Sequence, residues 1–279
     1  MIRDTFRISE NGVPILSNRE IDRFAEHVIM DFAPELLTKP GPVPIEFLAE
    51  SYFGLALDYR YLSHDGHLWG VMIFRDNTVQ IIYDPQTNLA EERMENRGTI
   101  LVDIRLTEAG RKEQKRTTIA HEIGHWLFHR IYFVRQSEKS ESAVKACDMD
   151  SCIERREGSD FQTDRDWMEH QAKFFSGAIL MPESAFRKAA VDPQIQKFLF
   201  ITHARSDVEA RNRALAKQLA HVFQVSEKAA RLRMKELDIS MGPGMSSVEF
   251  EQARKKFLEE QEKKKKVSKR RKRGNSCAK

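Results

Sequence analysis

The sequence of 279 residues predicts an α+β fold in which a small mixed or antiparallel sheet packs on a central helix. Strand-like runs of apolar and β-branched residues lie between positions 54 and 106, and helical apolar spacing marks the stretches 117–129 and 167–181. A further helical stretch covers 214–237. We place one domain at residues 1–245, followed at 246–279 by a charged helix and a disordered basic tail.

The central helix carries the sequence His-Glu-x-x-His at positions 121–125. Residues i and i+4 lie on the same face of an α-helix, so His121 and His125 can hold one metal ion together. Glu122 lies beside them and can take a proton from a metal-bound water without being a ligand. Apolar neighbours such as Ile123 and Phe128 predict that this helix is buried.

A catalytic zinc site needs a third protein ligand. His129 continues the i, i+4 series, but it is rotated by about 80° from His121, so we expect it at the rim of the site. The helix at 167–181, which Pro182 ends, offers Glu169 on a face with the small residues Ala172 and Ser176. His170 is a competing ligand, and the spacing alone leaves the choice open.

These two segments together resemble the ImmA/IrrE family of metallopeptidases. The resemblance rests on His-Glu-Ile-Gly-His-Trp-Leu-Phe-His at 121–129 and on Glu-x-x-Ala followed by Ile-Leu-Met-Pro at 169–182. It implies a compact zincin-like peptidase domain with Zn²⁺ bound by His121, His125 and Glu169, and with Glu122 as the general base. Lys173 stands where the family usually has Asn, and the segment between the two motifs is longer than usual.

Composition and charge indicate the compartment and the kinds of partner that we expect for the protein. Three cysteines and an N-terminus without an apolar leader fit a cytoplasmic protein, and no apolar run is long enough to cross a bilayer. The whole chain carries a net charge of +4, whereas residues 246–279 alone carry +8, so the remainder is mildly acidic. Residues 263–279 contain ten Lys or Arg and no acid, which predicts disorder and either non-specific attraction to nucleic acid or a solubilising role.

The elements before the central helix follow from turn and capping signals. Ser17 and Glu20 form a capping-box pattern that predicts a helix, and a second helix is predicted from about Pro44, after a break at 40–42. Strands are predicted at 55–59 and 100–106, with a loop at 84–99. The runs 69–75 and 78–83 flank Asp76-Asn77 and predict a β-hairpin. One of these strands can hold an extended substrate at its edge, or the hairpin is purely structural.

Two later segments leave alternatives open. Cys147 and Cys152 stand in a polar stretch and are either a weak second metal pair or ordinary thiols. Residues 214–237 have the form of a helix-turn-helix with Ser226 as N-cap. Its second helix either meets DNA phosphates through Arg231, Arg233 and Lys235 or packs on the domain.

Two hypotheses about function follow. The first is a zinc endopeptidase acting on a protein substrate such as a DNA-binding repressor, a substrate class that only the resemblance implies. Tyr83, His129 and His170 are candidates for stabilising the oxyanion. The second is a DNA-associated regulator whose metal site is structural or inactive. The three-ligand set suits Zn²⁺ but also accepts Mn²⁺ or Co²⁺.

Overall fold

The structure, a computed structural model, describes residues 7–87, 89–137, 144–148, 163–203, 206–241 and 255. The described α-helices are α1 Asn18–Phe32, α2 Glu35–Thr38, α3 Ile45–Phe47, α4 Lys112–Ser137, α5 Asp164–Leu180, α6 Glu183–Ala190, α7 Pro193–His203, α8 Val208–Phe223 and α9 Glu227–Glu236. A π-helix covers Leu48–Tyr52, and a 3₁₀-helix covers Ile104–Thr107. The described strands are β1 Ala56–Arg60, β2 Leu68–Ile73, β3 Thr78–Asp84, β4 Leu89–Glu95, β5 Thr99–Asp103 and β6 Val144–Asp148. The basic tail at 263–279 and, apart from residue 255, the charged helix predicted at 248–262 lie outside the described residues.

The main sheet is mixed and has the strand order β1-β5-β2-β6. β1 runs parallel to β5, while β2 is antiparallel to both β5 and β6. β2 and β5 are almost fully buried because α4 packs against both of them. A small mixed sheet on a central helix agrees with the predicted fold class.

The predicted hairpin between β2 and β3 is wrong. β2 already pairs with β5 and β6 along its two edges, and β3 pairs instead with β4 in a separate two-stranded sheet. Asn77 has a φ of 57°, and this turn leads the chain out of the main sheet. The prediction of a loop throughout 84–99 is also wrong, because Leu89–Glu95 form β4. While β6 is in place, β2 also has no free edge for an added substrate strand.

The first helix forms as its capping box predicts. The Ser17 side chain accepts a hydrogen bond from the backbone N–H of Glu20, and the Glu20 carboxylate accepts one from the backbone N–H of Ser17. The apolar face of α1 packs against α5. The buried residues of that face are Ile21, Phe24, Ala25, Val28 and Ile29.

The helix-turn-helix-like segment packs on the domain. α8 ends at Gln224, which has a left-handed backbone, and the Ser226 hydroxyl accepts a hydrogen bond from the Ala229 N–H at the start of α9. Arg233 on α9 is only 1% exposed and donates hydrogen bonds to Asp22 on α1 and to the Met181 carbonyl. Of the two alternatives for this helix, Arg233 follows the packing one, since its guanidinium holds α9 against α1 and does not face DNA phosphates.

The start of α4 is joined to the same helical segment. The buried Arg116 donates hydrogen bonds to the carbonyl oxygens of Val43, Phe223 and Gln224 at 2.8, 3.4 and 3.2 Å. Burial lowers the pKa of this guanidinium. Across the described part of the chain, no helix combines the length and the apolar character needed to cross a membrane.

Candidate metal centre

Two histidines of α4 meet at one point. His121 and His125 lie one helical turn apart, both are almost completely buried, and their Nε2 atoms are 2.9 Å from each other. The helical spacing places the two rings on one face, and the surrounding core holds that face away from solvent. Their Nε2 atoms therefore converge as two ligands of one ion must.

A carboxylate from α5 completes the group. The Glu169 oxygens lie 3.3 Å from Nε2 of His121 and 3.5 Å from Nε2 of His125. One ligand atom from each of these three residues lies within 4.8 Å of the others. His170, the competing candidate, lies against α1 instead, with its Nε2 2.9 Å from Oδ1 of Asn18.

Small residues let the two helices approach this closely. A Cβ atom added to Gly124 of α4 would lie 3.1 Å from Cα and 3.3 Å from the carbonyl oxygen of Ala172 on α5. Such a contact is tighter than ordinary packing, so a larger residue would push the helices apart. Ala172, one of the small residues on the Glu169 face, lies at this close approach, and Gly124 is its counterpart on α4.

His129 does not lie at the rim, and that prediction is wrong. It is fully buried, and its Nδ1 lies 2.9 Å from Nδ1 of His125. Its Nε2 lies 3.0 Å from Oε1 of Gln171, whose Nε2 donates to the carbonyl oxygen of Pro14 at 2.7 Å. The rotation of about 80° carries His129 past the candidate metal position and places it behind His125.

His125, His129, the Gln171 amide and the Pro14 carbonyl form one chain of hydrogen bonds, and the carbonyl end sets their directions. A carbonyl oxygen only accepts, so the Gln171 amide must present its NH₂ to Pro14 and its oxygen to His129. His129 then donates from Nε2, and as a neutral imidazole it accepts at Nδ1 from the Nδ1–H of His125. This chain leaves the lone pair of His125 Nε2 facing the candidate metal position.

Glu122 lies beneath β2. Its side chain is fully buried, and a Cβ atom added to Gly70 of β2 would lie 2.9 Å from its Oε1 and 2.6 Å from Cγ2 of Thr118. Only a glycine fits at this point of the strand without displacing Thr118 or the carboxylate. β2 therefore crosses α4 directly above Glu122.

Comparison with known proteins supports the resemblance stated above. Residues 149–235 match the model of the peptidase M78 family, described as an IrrE N-terminal-like domain. The resemblance to the ImmA/IrrE family is confirmed. The matched segment includes Glu169 of α5, while the His-Glu-x-x-His turn of α4 lies upstream of it. A search of curated proteins returned no match.

The residues at the centre fit the metal dependence of the ImmA/IrrE family. Two imidazole nitrogens and one carboxylate oxygen are the donor set of a catalytic zinc site that keeps a further position open. The hydrogen bond between His125 and His129 supplies the orienting contact that metal-binding histidines require. The family match implies a peptidase, and the His-His-Glu group can bind a metal.

Sequence reasoning missed the two residues that support this centre from outside. Gln171 follows Glu169 by two positions and so faces another side of α5, and Gly70 carries no side chain to notice. Tyr83, an oxyanion candidate, lies on β3 with its ring 4.9 Å from that of His64. Cys147 lies on β6 opposite Gly70, and Cys152 lies outside the described residues.

Proposed function

We propose that this protein is a zinc-dependent endopeptidase in which His121, His125 and Glu169 hold the metal and Glu122 is the general base. The observation that carries the proposal is the convergence of these three donors within 4.8 Å of one another. The buried carboxylate of Glu122 directly follows His121 on α4. When bound, zinc lowers the pKa of a water molecule to about 7 and polarises the substrate carbonyl.

The proton transfers of the reaction fall to Glu122. Glu122 takes a proton from the attacking water as the carbonyl carbon becomes tetrahedral. The same carboxyl group then returns that proton to the amine that leaves. Burial under β2 keeps the carboxylate away from bulk water and in a fixed position, which favours a proton transfer along one path.

The substrate we propose is a protein, with a DNA-binding repressor as the class that the family resemblance favours. Arg231 and Lys235 remain exposed on α9 after Arg233 is buried. They leave a basic face that can approach a repressor while it is bound to DNA, through contacts to the phosphates.

Metal analysis of matched variants tests the ligand set. We expect about one zinc per chain in the wild type and in His170→Ala, and a large loss in His121→Ala and Glu169→Ala. His170 is the sequence neighbour of Glu169, so it controls for general damage to α5. Zinc retained by Glu169→Ala and lost from His170→Ala would reverse the assignment of the third ligand.

Cleavage of a peptide library, read by mass spectrometry, tests the general base. Glu122→Gln should keep the metal and lose at least about a thousandfold in cleavage rate, because an amide cannot accept the proton. Glu108→Gln, an exposed carboxylate just before α4, should cleave as the wild type does. Metal binding without any cleavage by the wild type would instead favour the regulatory hypothesis.

A further inference from the structure

Two arginines from different parts of the chain meet on the ring of Trp126. The guanidinium carbon of Arg97 lies 5.5 Å from the centroid of this half-buried ring, and that of Arg130 lies 5.8 Å from it. Arg130 follows Trp126 by four residues, so both side chains lie on one face of α4. Arg97 lies in the turn between β4 and β5. Two cations therefore share one aromatic side chain.

The indole ring is held in place from the core side. The buried Phe74, which follows β2, stacks on it with 6.4 Å between the ring centroids and 18° between the ring planes. Gly98 has a φ of 84°, and a Cβ atom added there would lie 3.9 Å from Cη2 of the indole. The backbone N–H of Arg97 donates to Oδ1 of Asp76 at 3.0 Å, which joins this turn to the turn after β2. The position of both arginines is therefore largely set before any ligand binds.

The charge on this ring is not balanced within the protein. In the part of the chain that the structure describes, neither guanidinium forms an ion pair or a hydrogen bond, and the indole N–H has no acceptor. Arg93 of β4 shows the contrast, because it is paired with Glu95 at 3.0 Å and with Asp58 at 3.6 Å. The two guanidinium groups and the indole N–H are donors only, so the group as a whole lacks an acceptor.

A group that has only N–H donors and two positive charges selects an oxyanion. The planar fork of a guanidinium matches a phosphate, to which it can donate two parallel hydrogen bonds. Arg97 and Arg130 are both exposed, so a long chain of phosphates can pass over them. The ten Lys or Arg of residues 263–279 add attraction of the same sign.

We propose that Arg97, Trp126 and Arg130 form a binding site for the phosphate backbone of nucleic acid. The site contains none of the candidate metal ligands and not Glu122, so it goes beyond the proposed peptidase function and does not rest on it. It is also separate from the basic face of α9. The site lies on the second half of α4, whereas the turn before α9 is held by Arg116 near the start of that helix.

The salt dependence of DNA binding tests the site. Fluorescence anisotropy of a labelled duplex, titrated with the full-length protein at several salt concentrations, gives the slope of log affinity against log salt. Arg97→Gln and Arg130→Gln should each weaken binding by about threefold to tenfold and reduce the slope by about one, and the double variant should reduce it by about two. The loss should be the same for unrelated DNA sequences, because phosphate contacts carry no sequence information.

Two further variants separate a specific contact from a general effect of charge. Arg23→Gln removes an exposed arginine of α1 and should leave the slope unchanged. Arg97→Lys keeps the charge without the fork, so it should retain the slope and bind less tightly than the wild type. Melting temperatures and zinc contents equal to those of the wild type would show that all variants keep their fold and metal centre.

Three results would overturn the assignment. The first is an unchanged slope in the double variant, and the second is an equal loss of slope in Arg23→Gln, which would mean that only total charge matters. The third is displacement of the duplex by ATP or inorganic phosphate at the concentration of DNA phosphate that half-saturates the protein. That result would assign the site to a small phosphorylated ligand and not to nucleic acid.

Discussion

His129 and Gln171 determine which ring nitrogen of His125 carries the proton. Without them the buried His125 ring could carry its proton on either nitrogen, and one of the two forms would present N–H to the metal. The chain from the Pro14 carbonyl through Gln171 and His129 selects the form whose Nε2 lone pair is available. Two residues outside the candidate ligand set therefore orient one of its members.

Gln171→Leu should weaken zinc binding by about tenfold to a hundredfold, because His129 loses the acceptor that fixes its proton. Competition with a chelator measures the affinity, and Co²⁺ loaded in place of zinc reports the ligand geometry in its visible spectrum. A merely structural role of Gln171 would lower the melting temperature and leave the Co²⁺ spectrum unchanged. Gln86→Leu, an exposed change in a loop, is the control.

The sequence alone predicted the residues that meet at the centre but not those that support them. The His-Glu-x-x-His spacing has a direct geometric meaning on one helix, and the resemblance supplied Glu169. The position of His129 depends on how α5 and the segment around Pro14 pack against α4. Gln171 and Pro14 are 157 residues apart, so no local pattern can join them.

At the scale of elements, the distance between α4 and α5 sets the metal centre. Both helices contribute candidate ligands, and Gly124 faces the backbone of Ala172 where they cross. A single methyl group at this crossing must be accommodated by moving one helix, because the nearest atoms belong to backbone. The metal-binding atoms of His125 and Glu169 would then separate.

Gly124→Ala should therefore destabilise the protein by about 1–3 kcal/mol and lower its zinc affinity, although alanine favours a helix more than glycine does. Gly41→Ala is the matched control, since its added Cβ would meet the nearest atoms at 3.8 and 3.9 Å. Chemical unfolding and chelator competition on both variants give the two quantities. A Gly124→Ala protein that is more stable and binds zinc normally would contradict the packing argument.

The strands show where local patterns mislead. Asp76-Asn77 between two apolar runs favours a hairpin, yet β2 is a central strand whose partners come from β5 and β6. β4 was missed because all of its residues but Glu95 are exposed, so it lacks the alternation that marks a strand. The partners of β2 and of β4 are set by pairing between segments that are distant in the chain, so a local sequence pattern cannot predict them.

At the scale of the whole molecule, the ends of the described chain are tied together by charge. Arg233 of α9 and Asp22 of α1 are 211 residues apart and form a buried ion pair. Burial raises the pKa of Asp22, and the hydrogen bond from Arg233 opposes that shift. The sequence showed Arg233 only as one of several basic residues on a helix, because Asp22, its partner on α1, is distant in the chain.

Arg233→Met should cost about 3–5 kcal/mol of unfolding free energy at pH 7, since it leaves the Asp22 carboxylate buried without its cation. The double variant Asp22→Asn, Arg233→Met should recover the part of this loss that comes from Asp22, while the Glu236 carboxylate, 3.4 Å from Arg233 in the wild type, still lacks its cation. Urea unfolding of the wild type and both variants measures the differences.

The same pair of variants carries a pH signature with a definite sign. A carboxyl group whose pKa is raised in the folded state stabilises the protein most below its unfolded value of 3.8, and that stability is lost as the pH rises through the folded pKa. Arg233→Met removes the opposing hydrogen bond and so raises the pKa of Asp22 further. The stability gap between the single and the double variant should therefore be smallest near pH 4 and widen toward pH 7. A gap that stays constant over this range would show that the loss in Arg233→Met comes from packing and not from the buried charge.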